Sequence, residues 1–346
     1  VEDDTVISLS GNKIWDEYEQ AKSLGIETKP VVVGAYTMLK LCRYMGSRTA
    51  VDYVDDIVMA YCDLLRRCEE NQITWIQLDE PALVQDMDEN DIKLFRRIYD
   101  EVLSCKKSCH VLIQTYFGDV RDIYRDLIGM HFDGIGLDFL EGKETINLIE
   151  KYGFPQDKLL FAGLVNGKNI WRNHYDRTLK TLEELKKKNI SAVLSTSCSL
   201  LHVPYTLKHE HSLSQDYLSH FAFAEEKLGE LHELCILVDS DDYTSEEAYI
   251  DNQQLFTVKR DCENEQVKQR LESVGENDYI RLPKRSERQK IQKKVFGLPE
   301  FPTTTIGSFP QTQDVKANRS AYRRGDISRE EYIAFNKKKI AECVAW

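Results

Sequence analysis

Six short apolar runs, rich in β-branched residues, punctuate the first part of the chain. They lie at residues 30–34 (PVVVG), 74–79 (TWIQLD), 110–116 (HVLIQTY), 134–139 (GIGLDF), 159–165 (LLFAGLV) and 192–197 (AVLSTS). Each run is continuous rather than alternating, the pattern of a strand buried on both faces. Between the runs the apolar positions fall at helical spacing. Residues 51–69 place Val54, Ile57, Val58, Tyr61 and Leu65 on one face, and residues 13–24, 89–103 and 177–187 read as further helices. Strands alternating with helices predict a parallel sheet with helical crossovers.

The strands end on polar residues or glycine: Gly34, Asp79 with Glu80, Tyr116, Asp138 and Ser197. In a (βα)8 barrel the C-terminal strand ends carry the chemistry. A doubly wound sheet more often shows a glycine-rich phosphate loop, and neither GxGxxG nor GxxxxGK[ST] occurs. The fold expected is therefore α/β of the (βα)8 TIM-barrel type. Six strands fall short of eight, so the N-terminal barrel is expected to be incomplete, its first strands preceding Val1. The absence of an initiator methionine points the same way.

The texture changes after residue 240. Residues 241–300 are highly charged, with apolar residues such as Leu255, Val258, Val267 and Leu271 at helical intervals, and read as long solvated linker helices. The prolines of PEFP end that pattern. TTTIGSFPQT then reads as a new first strand and its loop, with helix after it. The organisation expected is residues 1–240 as barrel, 241–300 as helical interdomain linker and 301–346 as the start of a second, truncated barrel.

Five motifs occur in order: WIQLDEPALV (75–84), QTYFGDV (114–120), GLVNGKNIW (163–171), SCSLLHVP (197–204) and FPTTTIGSFPQT (301–312). Together they resemble the cobalamin-independent methionine synthases, along essentially the whole chain. The resemblance implies two face-to-face (βα)8 barrels, the second of which keeps the active site. There a zinc ion activates the thiolate of L-homocysteine, which takes a methyl group from 5-methyltetrahydropteroyl-polyglutamate to give L-methionine. It also implies a cytoplasmic enzyme, monomeric when intact. In two places this chain departs from the family pattern. Gly34-Ala35-Tyr36-Thr37 stands where Gly-Pro-x-Thr is usual, and Lys168 replaces an arginine, losing a planar fork of donors.

The resemblance carries one set of site residues onto this chain, Ile306, Gly307 and Ser308, as contacts for homocysteine or methionine. A glycine there lets a ligand approach the backbone, and amides at a strand-to-loop turn receive a carboxylate. Taken alone, the same Gly-Ser-Phe-Pro would read as an ordinary turn. The zinc ligands and folate-tail contacts implied by the family fall outside this chain. No catalytic residue and no metal ligand is assigned here, and the chain alone is expected to be inactive. His209-Glu210-His211 is not HExxH, and Cys198 with His202 reads as a packed loop rather than a ligand pair. Asp79 and Glu80 read as hydrogen-bonded structural groups, and Tyr116, Phe117 and Trp171 as core or interface aromatics.

Composition narrows the alternatives. The net charge of −12, with both signs interspersed, gives no basic stripe for nucleic acid and no polybasic patch for a membrane. No apolar run approaches the ~20 residues of a membrane span. The nine cysteines, Cys42, Cys62, Cys68, Cys105, Cys109, Cys198, Cys235, Cys262 and Cys343, include no CxxC pair. Most are expected to be free, buried thiols in a reducing compartment. Two other readings fit the architecture. One is a non-catalytic structural barrel module. The other is a uroporphyrinogen-decarboxylase-like lyase, which would need a basic lining where these strand ends are acidic or neutral.

Overall fold

The computed structural model describes residues 1–257, 264–303, 307 and 311–345. The chain divides into two compact units, Val1–Arg260 and Asp261–Trp346.

The first unit repeats strand and helix in chain order. Helix α1 (Lys13–Ser23) precedes β1 (Val31–Val33), α2 (Ala35–Leu41), α3 (Val54–Glu70), β2 (Trp75–Asp79), α4 (Glu89–Ser104) and β3 (His110–Gln114). Then come α5 (Tyr124–Gly129), β4 (Gly134–Asp138), α6 (Thr145–Tyr152), β5 (Leu159–Val165), α7 (Tyr175–Lys187) and β6 (Ala192–Thr196). The unit ends with α8 (Gln215–Leu218), α9 (Ala224–Asp239) and α10 (Glu247–Thr257). The strands form one six-stranded sheet in the order β1-β2-β3-β4-β5-β6, every neighbour parallel. All six apolar runs are strands, and the four expected helices form within a few residues of their expected bounds.

The register shows which side chains share a face. Val32, Leu78, Ile113, Ile135 and Leu160 lie in one row. This row packs against Ile57 and Leu65 of α3, Phe95, Ile98 and Val102 of α4, and Leu127 of α5. The inner face carries two rows, one of Val31, Gln77, Leu112, Gly134 and Leu159 and one of Val33, Asp79, Gln114, Gly136, Phe161 and Val193. Burial on both faces holds for the central strands but not at the edges. Val31 and Val33 of β1 are 52% and 44% exposed, and Val193 of β6 is 38% exposed. A smaller cluster, Val165, Tyr175, Leu179, Leu234 and Leu237, packs α7 and α9 behind β5.

In the second unit the described helices are α11 (Glu265–Glu272), α12 (Arg285–Phe296), α13 (Gln313–Arg324) and α14 (Arg329–Ala345). The long helices expected over 241–300 are instead α10, α11 and α12, of 11, 8 and 12 residues. A break at Ser273-Val274-Gly275 ends α11, and Pro283 stands just ahead of α12, where a proline cannot continue a helix. The strand expected near residue 304 lies outside the described residues.

The cysteine expectation is corrected at one pair. Cys62 on α3 and Cys105 at the end of α4 are joined in a disulfide. Cys42, Cys68, Cys109, Cys198, Cys235 and Cys343 are free, with Cys68, Cys109 and Cys198 buried but Cys235 and Cys343 exposed. Cys262 lies outside the described residues.

Candidate functional site at the strand-end rim

Glu80 follows β2 and is fully buried. Its Oε1 accepts from the Tyr36 amide at 2.9 Å and from the Tyr99 hydroxyl. Its Oε2 accepts from the Thr37 amide at 2.7 Å and the Thr37 hydroxyl at 2.5 Å. The two amides belong to the first turn of α2, where no helical carbonyl is available to them. Glu80 thus caps α2 from a distant strand end. Gly34 makes this possible, because a Cβ there would overlap the Glu80 side chain. The Ala35 amide donates to the Tyr99 hydroxyl at 3.2 Å, a bond that a proline at this position could not make. Burial pushes the Glu80 carboxyl up to about 7, with the four donors pulling the other way. Every oxygen is committed, so the role of Glu80 is to fix the β1–α2 corner.

Asp79 points to the inner face. Gln77 Nε2 donates to Asp79 Oδ1 at 2.7 Å and to the Tyr116 hydroxyl at 2.9 Å, tying the ends of β2 and β3 together. Lys29 reaches over the Phe161 ring, 4.9 Å from its centroid. Burial raises the Asp79 carboxyl while the Lys29 charge opposes the rise, and burial lowers Lys29. This is a polar lining with one ammonium and one carboxylate.

Asp138 ends β4 and is buried. Its Oδ1 accepts from the Leu140 and Glu141 amides at 2.8 and 2.9 Å, which folds the following turn. Its Oδ2 is buried without a hydrogen bond of good geometry, although the Phe117 amide faces this carboxyl. Burial raises its pKa. Phe117 holds a left-handed backbone (φ 73°), uncommon for a large side chain, and its ring meets His202 edge-on. Cys198 is buried beside this group, its thiol pushed up by burial and by the Asp138 charge. Ser197 accepts from the Gly167 amide at 3.2 Å. The expected rim residues Asp79, Tyr116, Asp138 and Ser197 thus stand at or just past the C-terminal ends of parallel strands, with Asp79 and Tyr116 joined through Gln77, Asp138 bonded to its own loop and Ser197 to the loop after β5.

A buried polar group behind β5 escaped the sequence. Lys227 and Glu230 of α9 are 0% and 1% exposed. Lys227 Nζ donates to the Trp171 carbonyl at 3.1 Å. Glu230 Oε1 accepts from the Asn173 amide at 2.9 Å. Arg172 Nε lies 3.2 Å from the same oxygen, a charge contact without directed hydrogen-bond geometry. Helix α9 carries apolar residues around much of its circumference, so no stripe marked Lys227 and Glu230 as inward-facing.

Among the described residues no group of three or more His, Cys, Asp or Glu could hold a metal ion. Cys198 is buried and His202 is exposed. The described residues do not fit a zinc site. Of the loop residues singled out by sequence, Ile306 and Ser308 lie outside the described residues. Gly307 has φ 77°, and among the described residues nothing lies within 4 Å of where its Cβ would stand.

Residues 1–190 match the family model for the N-terminal domain of cobalamin-independent synthase, and residues 301–346 match that for its catalytic domain. A 5-methyltetrahydropteroyltriglutamate–homocysteine methyltransferase of Streptococcus thermophilus is 48% identical over 99% of this chain. One from Campylobacter jejuni is 47% identical over 98%. The chain spans 45% of the length of each of these relatives. A solved Listeria monocytogenes structure, assigned as a vitamin-B12-independent methionine synthase, matches with a TM-score of 0.50 at 17% identity. That match covers 67% of this chain and 70% of that one, and it speaks to the fold alone.

Proposed function

The chain belongs to the cobalamin-independent methionine synthase family, and on that premise we propose that it supplies the supporting barrel and the first substrate loop of a methyltransferase. The complete enzyme would move a methyl group from 5-methyltetrahydropteroyl-polyglutamate to the sulfur of L-homocysteine in the cytoplasm, as a monomer. In this reading residues 1–240 are the supporting barrel, 241–300 the interdomain linker and 301–346 the opening of the catalytic barrel. The observation that carries it is the pair of family matches on the two ends of one chain.

The rim chemistry supports a supporting role. Glu80 has all its hydrogen-bonding capacity committed to the fold, and Asp79 and Tyr116 are tied to Gln77. Zinc, where the complete enzyme holds it, would lower the pKa of the homocysteine thiol. Its ligands would come from outside this chain, and no step is routed through the residues here. Ile306, Gly307 and Ser308 would receive the polar end of homocysteine. The left-handed backbone at Gly307 fits a loop that offers amides to a carboxylate.

Methyl transfer measured on the 346-residue chain and on the full-length product of its gene tests this reading. The full-length protein should turn over and the chain alone should not. Turnover by the chain alone would overturn it. In the full-length enzyme Gly307→Val should raise the homocysteine KM about tenfold or more with little change in the folate KM, a loss of ground-state binding. Gly307→Asn tolerates the left-handed backbone, so it separates backbone strain from occlusion. Unchanged homocysteine kinetics in both variants would make the loop purely structural.

A further inference from the structure

Four cysteines meet where α3 faces the end of α4. Cys62 and Cys68 lie on α3, and Cys105 and Cys109 lie just beyond the last turn of α4. The two pairs are placed differently. Cys68 and Cys109 are buried in the main core as thiols, Cys68 pushed up by its hydrogen bond to Cys109 and by burial. Cys62 and Cys105 are half-buried at the surface and bridged, with Cα atoms 5.5 Å apart.

We propose that Cys62 and Cys105 form a reversible thiol–disulfide site, closed by a low-molecular-weight disulfide of the glutathione type and opened by dithiols. Three observations carry this. First, the bridge is not needed to build the fold. A unit of this size buries a core without covalent help, and α3 and α4 already meet through Ile57, Val58 and Leu65 against Phe95, Ile98 and Val102.

Second, the segment bearing Cys105 is held in place by other bonds. The Glu69 carboxylate on α3 accepts from the amides of Lys107, Ser108 and Cys109 at 3.1, 2.7 and 2.8 Å. Lys106 pairs with Asp133 at 2.7 Å. Opening the bridge leaves the two sulfurs facing each other. Third, the open form has somewhere to put its protons. The Glu101 carbonyl lies 4.0 Å from the Cys62 sulfur and 3.6 Å from the Cys105 sulfur, an acceptor within reach of each thiol.

The chemistry balances as two exchanges. One protein thiolate attacks a sulfur of the small disulfide, forming a mixed disulfide and releasing one small thiol. The second protein thiolate then attacks the protein-bound sulfur, closing Cys62–Cys105 and releasing the second small thiol. One disulfide is reduced, one is formed, and the two protons from the protein thiols leave on the two small thiols. The closed bridge ties together two helices that hold the β1 edge. Tyr61 of α3 donates to the Val33 carbonyl, and Tyr99 of α4 donates to Glu80.

The test is differential alkylation with mass spectrometry on the folded 346-residue chain, equilibrated with reduced and oxidised glutathione and then with dithiothreitol. Oxidising buffer should protect Cys62 and Cys105 together and yield one cross-linked peptide. Dithiothreitol should free both while Cys68 and Cys109 stay protected and the circular dichroism stays unchanged. Reduction should lower Tm by about 5–10 °C, the order expected when a cross-link closing a loop of this length is lost from a unit of this size. Cys62→Ala and Cys105→Ala should each abolish that difference. Three results would overturn the proposal. Both cysteines could stay alkylatable in oxidised glutathione. A mixed disulfide could persist as the end product. The bridge could resist dithiothreitol until the chain unfolds, which would make it a fixed structural cross-link.

Discussion

Glu80 and Asp138 both stand where a strand gives way to its loop, both are buried, and both are pushed upward in pKa by that burial. They differ in what the following chain provides. Around Glu80, α2 brings two free amides and a threonine hydroxyl, α4 brings a tyrosine, and all four donors converge on the two oxygens. Around Asp138, a tight turn brings two amides to one oxygen and leaves the other without a well-formed bond. A carboxylate at a strand end is thus no evidence of chemistry by itself. Its significance depends on whether the neighbouring elements have used up its hydrogen-bonding capacity.

The sharpest way to break this comparison is Glu80→Ala. It strips partners from the Tyr36 and Thr37 amides and the Thr37 and Tyr99 hydroxyls in a dry site. The first unit should lose about 3–5 kcal/mol, since several buried donors lose their acceptor at about 1–3 kcal/mol each. A loss under about 1 kcal/mol in urea unfolding would mean that α2 does not depend on this cap.

A pH series on wild type and Glu80→Gln comes next in size. The folded protein holds the Glu80 proton more tightly than the unfolded chain, with a pKa of about 7 against an ordinary 4.5. The unfolded chain therefore loses its proton first, and stability falls with rising pH. The contribution is fully present below about 4.5 and is lost as pH passes through 7. The stability of wild type minus that of Glu80→Gln should decline across that window. Parallel curves would show that the donors hold the ionised form throughout.

Asp138→Asn should have the smallest effect, within about 1 kcal/mol, because the asparagine oxygen can still accept from Leu140 and Glu141. Removing the charge beside Cys198 should also let that thiol ionise more readily, read as faster alkylation at fixed pH. A loss comparable to Glu80→Ala would erase the contrast between the two strand ends.

Much of the fold was legible because the strands are short, continuous and β-branched, and because the helices between them carry single apolar faces. The polar strand-end residues were legible too, since Asp79, Glu80, Tyr116, Asp138 and Ser197 interrupt apolar runs. What each residue contacts was not. Glu80 is capped into place by residues 43 and 44 positions away, and no local pattern encodes that convergence. The Cys62–Cys105 bridge spans 43 residues with no spacing motif, so only the docking of α3 on α4 reveals it. Lys227 and Glu230 were hidden because α9 carries apolar residues around much of its circumference, so no polar stripe separates an inward from an outward charge. The charged stretch after residue 240 read as long helices because apolar spacing survives across short interruptions such as Ser273-Val274-Gly275.

Strand order in the sheet follows chain order without exception, from β1 to β6. During synthesis each new strand therefore emerges beside an edge already waiting for it. No strand must wait for a partner encoded much later, as one in a sheet with long crossovers would. The growing sheet can extend one βα unit at a time as the polypeptide leaves the ribosome, each helix sealing the outer face of the strands just laid down. The edge at β6 is then the growing side of a sequential assembly, and β1 is the earliest of these six strands to be laid down. A translational pause after any complete βα unit would leave a partially built sheet with one fresh edge rather than a tangle of unmatched strands.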